Sequence, residues 1–189
     1  MRTPHPLFRS FFLGGFECSS HCLANGRRLD MLAATRHDRF AEADYRLLEG
    51  HGMAVARDAL RWHLIESRPG RYNWASFLPM LRAARETGTR VIWDLFHYGY
   101  PDGLDLFSQE FVDRFAAFVG EFARLAREEG EEEPWVSPVN EISFFSWAAG
   151  DAGVMNPFCR GRGGEIKRQL VRASVAAIQA LREAAPQAR

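Results

Sequence analysis

An apolar run followed by an amphipathic helical pattern recurs four times along the 189 residues, and this alternation constrains the fold more than any other feature. The runs are Phe11 to Glu17, Met53 to Leu60, Arg90 to His97 and Trp135 to Asn140, and each reads as a strand. The helical patterns follow at about Arg39 to Glu49, Trp74 to Thr87, Gln109 to Glu128 and Glu165 to Ala184. Asp38 and Ser108 stand where N-caps belong, Gly50, Gly52 and Gly88 where helices stop, and Pro186 closes the last one. Phe111, Phe115, Phe118, Phe122 and Leu125 recur at three and four, which predicts one buried face. The stretch after Asn140 reads as a long Gly-rich loop, and the acidic run from Glu128 to Glu133 as a solvated one. Mostly apolar strands alternating with helices predict an α/β protein with a parallel sheet under helices. An open doubly wound sheet and a (β/α)8 barrel both fit. The first strand–helix loop lacks GxGxxG and P-loop patterns, and Gly161, Gly163 and Gly164 come too late in the chain to supply one. One domain over residues 1–189 is expected. Eight units of this size need about 350 residues, so on the barrel reading the chain holds the first four, a half barrel.

Composition removes several classes of function. Lys plus Arg and Asp plus Glu number 24 each, so the formal net charge is zero. A neutral chain exerts no general pull on nucleic acid or anionic membrane, and neither partner is expected. No apolar stretch approaches the ~18–20 residues of a membrane span. The start, Met1 to Ser10, lacks the basic region and long apolar run of a secretory leader. Cys18, Cys22 and Cys159 are an odd set, read as unpaired thiols of a reduced, cytoplasmic protein. Cys18, His21 and Cys22 lack a convincing fourth zinc ligand, so no metal and no cofactor is expected.

In a parallel α/β fold, functional groups gather at the C-terminal ends of the strands. Those ends hold Glu17, then Arg57 and Trp62, then Asp94 and His97, then Asn140 and Glu141. Acids, a guanidinium, an imidazole and an amide at one rim suit a polyhydroxylated ligand held by many hydrogen bonds. Trp62, Tyr98 and Trp147 offer platforms for sugar rings, although Trp62 and Trp147, taken singly, read more readily as core or rim packing. A carboxyl partly desolvated at such a rim is suited to general-acid work.

These segments resemble a known family. Pro138-Val139-Asn140-Glu141 is similar to the Asn-Glu motif that closes strand four in retaining glycoside hydrolases of the large (β/α)8 superfamily. Leu95 to Pro101 (LFHYGYP) resembles the Leu-Tyr-His-Trp-Asp-Leu-Pro of family-1 β-glycosidases. Arg57 through Trp62 resembles its Arg-Phe-Ser-Ile-Ser-Trp, and Phe12 to Ser20 its opening Phe-Leu-Trp-Gly-x-Ala-Thr-Ser-Ser. The four segments occur in order and cover nearly the whole chain.

The resemblance implies a β-glucosidase-like hydrolase of O-glycosidic bonds that works by retaining double displacement. Glu141 would be the acid/base, and Asn140 would bind the sugar 2-hydroxyl. Arg57 would keep a nucleophile ionised, His97 would bind a sugar hydroxyl, and Trp62 would help form the pocket floor. Glu17 and His21 lie near Cys22, which stands where the family carries a sugar-binding Gln. Tyr98, Gly99 and Ile142 stand where the family has Trp, Asp and usually Pro. The family's nucleophile lies on strand seven, and this sequence holds no second Thr/Ser-Glu-Asn-Gly-like segment. The chain is therefore expected to be inactive alone. The expected partner is a small glycoside or oligosaccharide, with a homodimer or a missing C-terminal half completing the barrel. The alternative is a non-catalytic carbohydrate-binding or remnant half barrel that self-associates.

Overall fold

The structure, a computed structural model, describes residues 7–189. The first residues of the segment in which no leader is expected lie outside the described residues. Four strands form one parallel sheet: β1 (Gly14–Gly15), β2 (Val55–Ala59), β3 (Arg90–Asp94) and β4 (Trp135–Ser137). Their spatial order is their sequence order, β1-β2-β3-β4. A doubly wound sheet reverses its strand order at a switch point, and none occurs among the described strands; the order is the one a (β/α)8 barrel follows. Arg189 continues the series. Its N–H donates to the Pro134 carbonyl at 3.0 Å and its carbonyl accepts from Val136 N–H at 2.8 Å, a parallel rung beside Trp135.

The strands are shorter than the apolar runs. Phe11 and Phe12 are exposed, and only Gly14 and Gly15 pair as β1, although Phe16 N–H also reaches the Arg57 carbonyl at 3.1 Å. Helices α1 (Met31–Thr35) and α2 (His37–Gly50) replace the single helix expected after the first strand. Asp30 caps α1 by accepting from Ala33 N–H, and Asp38 instead pairs with Arg61 at 3.0 Å. Four residues form α3 (Trp62–Ile65), and a 3-10 turn at Trp74–Ser76 leads into α4 (Leu78–Glu86). The Phe stripe gives α5 (Gln109–Glu128), with Ser108 Oγ accepting from Phe111 N–H at 3.1 Å. The expected Gly-rich loop instead carries α6 (Ile142–Phe145) and a π-helical turn, Ser146–Asp151, before α7 (Gly163–Ala184). No helix among the described residues is long and apolar enough to cross a membrane.

Alternation along β2 separates two polar systems. Arg57 faces the open concave side, while Asp58, fully buried, faces the helices. Asp58 Oδ2 accepts from Tyr45 Oη at 2.6 Å and lies 2.8 Å from His37 Nε2, and His37 Nδ1 lies 2.6 Å from Asp44. Phe16 stacks on the His37 ring at 3.7 Å. Burial works against a charge on His37, but the hydrogen bonds and charges of Asp58 and then Asp44 outweigh it and raise the imidazole above its usual range. The network therefore ties α2 to the back of β2 through a cation held between two carboxylates.

Asp58→Asn removes the buried anion of this network and is expected to lower stability by about 3–5 kcal/mol, read as a lower urea midpoint at unchanged slope. His37 binds its proton more tightly folded than unfolded. Its stabilisation is therefore complete below about pH 6.5 and is lost as pH rises through the raised folded value. The urea midpoint should fall across that window in the wild type, and His37→Gln should flatten the fall.

Candidate active site

The C-terminal ends of the strands bring Arg57, Asp94, His97, Tyr98, Asn140 and Glu141 together. Parallel register sets Ala59 beside Asp94, so Asp94 shares the concave face with Arg57, one strand over. The Arg57 guanidinium donates to Asp94 Oδ1 from Nη2 at 2.6 Å and from Nε at 3.2 Å. From Nη2 it also donates to Asn140 Oδ1 at 2.8 Å.

A guanidinium only donates, so this last contact fixes which way the Asn140 amide points. Asn140 Nδ2 then donates to His97 Nε2 at 3.0 Å and to Tyr98 Oη at 3.1 Å. An Nε2 that accepts leaves the His97 proton on Nδ1, which faces Asp94 Oδ2 at 3.2 Å. Tyr98 Oη, having accepted from Asn140, donates to Glu141 Oε2 at 2.5 Å. A single directed chain of hydrogen bonds thus runs from Arg57 to Glu141.

Two residues in this chain hold left-handed backbone, Tyr98 at φ 69° and Glu141 at φ 45°. Non-glycine residues hold that region at a cost of order 1 kcal/mol or more, and such strain clusters at functional sites. The Tyr98 ring is held by parallel stacking on Phe145, 5.4 Å away and 4° from coplanar. Burial, then the Glu141 bond and charge, push the Tyr98 phenol above its usual range, so it remains a donor at neutral pH.

An open cavity of about 360 Å³ lies over these groups, walled among others by Glu17, His21, His97, Tyr98, Glu141 and Phe144. Glu17 Oε1 accepts from Ser19 N–H at 3.0 Å and lies 3.9 Å from His97 Nε2. Burial opposes the charge on Glu17, but the Ser19 bonds hold its carboxyl below the usual range. For His21, burial dominates and lowers the imidazole, leaving it neutral. A second cavity, about 160 Å³ and lined by Arg9, Arg85, Arg90 and Glu131, lies at the opposite ends of the strands.

Of the residues the sequence singles out, Glu17, His97, Asn140 and Glu141 wall the cavity, and Arg57 acts from beneath through Asn140. Trp62 does not belong there. It is fully buried among Phe111, Phe115 and Phe118, and its indole N–H donates to Glu66 Oε2 at 2.7 Å. The chain turns into α3 right after Arg61, which swings position 62 away from the strand end into the core. Trp147 is exposed, in contact with Phe144 at the rim rather than in the wall. Glu141 is also exposed, not partly desolvated as expected. Asp94 and Tyr98 are the residues whose importance sequence spacing understates, because their partners lie on other strands.

Cys18, Asp94 and His97 offer ligand atoms within 4.8 Å of one another. Their chemistry does not suit a metal. Both Asp94 oxygens are engaged, and the Cys18 thiol donates to the Phe16 carbonyl at 2.9 Å. Burial, followed by the nearby carboxylates, pushes that thiol far up, away from the thiolate a metal needs. All three cysteines are free.

No family model and no curated protein matches the chain. Solved structures do. A β-glucosidase from Thermotoga maritima in complex with azafagomine superposes with a TM-score of 0.71 at 20% identity, over 81% of this chain and 36% of that one. The virulence factor SghA in complex with its substrate analog salicin gives 0.72 at 17% identity, over 80% and 35%. The AHE enzyme from Alicyclobacillus herbarius gives 0.72 at 18% identity, over 81% and 36%. The fold is thus that of part of a β-glucosidase barrel, and the chain spans about a third of the length of these proteins.

The Tyr98–Glu141 contact is measurable as a coupling. A double-mutant cycle of Tyr98→Phe and Glu141→Gln, followed by urea unfolding, should give an interaction of about 1.5–3 kcal/mol, the range for a hydrogen bond to a charged group. Additive effects of the two substitutions would show that the bond is not formed in solution.

Proposed function

We propose that the chain carries the acid/base half of a retaining β-glycosidase site, acting on a small glycoside or oligosaccharide. The observation that carries this is the directed chain from Arg57 through Asn140 and Tyr98 to Glu141, at the strand ends of a β-glucosidase-like fold. Tyr98 occupies Glu141 Oε2, so Oε1 is the oxygen left to exchange a proton. Glu141 would protonate the leaving glycosidic oxygen as the bond to the anomeric carbon breaks. It would then take a proton from the water that releases the sugar. Asn140 would meet the 2-hydroxyl by exchanging one of its present bonds, with Arg57 holding the amide plane. Glu17 and His97 would take further hydroxyls of the same ring. Three free thiols support a reducing compartment.

Retention needs a second carboxylate about 5–5.5 Å from the first, acting as nucleophile. By resemblance it belongs to a seventh strand, and residues 1–189 hold no segment like it. Residues 1–189 by themselves are therefore proposed to bind sugar without turning it over. A second reading rests on the outer edge of β1, which pairs with no other strand among the described residues, and the barely paired edge of β4: a non-catalytic carbohydrate-binding half barrel closed by a second copy.

Incubated with aryl β-glucosides, the purified 189-residue chain should release no aglycone above background. Heteronuclear NMR with methyl β-glucoside should move the amide signals of Glu17, His97, Asn140 and Glu141. Turnover abolished by Glu141→Gln would overturn the claim of inactivity, and unmoved signals would overturn the site itself. Sedimentation decides the second reading, which requires twice the 21.5 kDa monomer mass.

A further inference from the structure

Each guanidinium close to the cavity is already matched by a carboxylate. Arg57 is paired with Asp94 at 2.6 Å, and Arg28 with Asp102 at 2.5 Å. Arg28 further donates to the Ser20 and Tyr100 carbonyls, so it is anchored away from the opening. What remains at the cavity wall is Glu17 and Glu141, and no Lys or Arg is among the described residues that line it. Neither histidine of the wall offsets them. The His97 ring is engaged at Nε2 by Asn140 and at Nδ1 by Asp94, so it has no free N–H to turn to the cavity. His21 is only 7% exposed, and its Nδ1 has no hydrogen-bond partner among the described residues. Burial keeps that ring neutral.

The wall therefore presents the Glu17 carboxylate, with the Glu141 carboxyl beside it, and no Lys or Arg to match them. Beside them stand the Tyr98 ring and the exposed Phe144 ring, 5.8 Å apart, whose faces attract a cation. We infer that this cavity selects a sugar bearing a protonated amine over the neutral sugar, and rejects a sugar bearing a phosphate. The inference rests on the glycoside-binding reading of the same cavity and adds the charge of the ligand to it. An ammonium group supplies the positive charge that the lining beside Glu17 lacks. A phosphate dianion would meet the Glu17 carboxylate with no guanidinium free to receive it.

The test is an NMR titration of the full 189-residue chain, at low salt and neutral pH, with three probes: methyl β-D-glucosaminide, methyl β-D-glucoside and methyl β-D-glucoside 6-phosphate. The glucosaminide should bind about fivefold tighter than the glucoside, the ratio for one solvent-accessible ion pair, and the phosphate should bind weakest. Glu17→Gln should bring the first ratio close to one, as should salt at about 0.5 M. Circular dichroism should show that variant folded, since the Glu17 side chain is 58% exposed. Equal affinities for the first two probes, or binding of the phosphate as tight as either, would overturn the inference and leave the glycoside reading standing. If none of the three probes moves the signals of Glu17, His97, Asn140 or Glu141, the glycoside reading falls, and this inference with it.

Discussion

The hydrogen bond from Arg57 to Asn140 Oδ1 sets the direction of the side-chain contacts that lead on from Asn140 at the strand ends. An amide is close to symmetric in shape, and nothing in its outline says which end is oxygen. A guanidinium that can only donate breaks that ambiguity. The choice then passes outward to the His97 tautomer, the Tyr98 hydroxyl and the Glu141 oxygen that is engaged. Asp94 makes this possible by holding the guanidinium at two nitrogens on a face that is otherwise open. The half-exposed Arg57 is worth more to the site as an orienting group than as a source of stability, because solvent screens its pair with Asp94.

β2 shows how a strand serves two purposes with adjacent residues. Arg57 and Asp58 are neighbours in sequence and opposite in charge, yet they do not pair with each other. Period-two alternation sends one into the candidate site and the other into the contact with α2. Asp58 is satisfied by Tyr45, His37 and the Ala59 N–H, and Arg57 by Asp94 and Asn140. Each network is complete on its own side of the sheet, so charge changes at the site need not disturb the anchoring of α2.

Where local sequence decides structure, the sequence was readable. Ser108 and the Phe stripe define α5 at both ends, because capping and helical periodicity act within a few residues. Arg90 to Asp94 is a strand because its apolar residues suit a sheet buried under helices. The motif-bearing residues Glu17, His97, Asn140 and Glu141 reach one cavity because parallel strands deliver their C-terminal ends to one rim. Trp62 misled for a physical reason: two residues, Leu60 and Arg61, separate the end of β2 from the turn into α3, and an aromatic ring five residues past Arg57 falls among the rings of α5. The Asp94–Arg57 and Tyr98–Glu141 contacts leave no trace in spacing, since each partner is carried by a different strand. The π-helical turn after α6 was hidden by Ala148, Ala149 and Gly150, which resemble loop composition yet belong to a turn that packs against α7.

Gly99 sits between the two halves of this arrangement. A Cβ at this position would fall on the Ser20 hydroxyl and come within 2.9 Å of the Ser20 carbonyl oxygen. The Ser20 N–H in turn donates to the His97 carbonyl at 3.2 Å, so the two loops are pressed together along their backbones. Substitution at 99 is thus conditional on what the loop after β1 has already become. In a diverging lineage, that loop would have to retreat before any side chain could be admitted beside Tyr98. Positions 20 and 99 would then drift as a linked pair, and a chain that lost the glycine first would pass through a displaced His97.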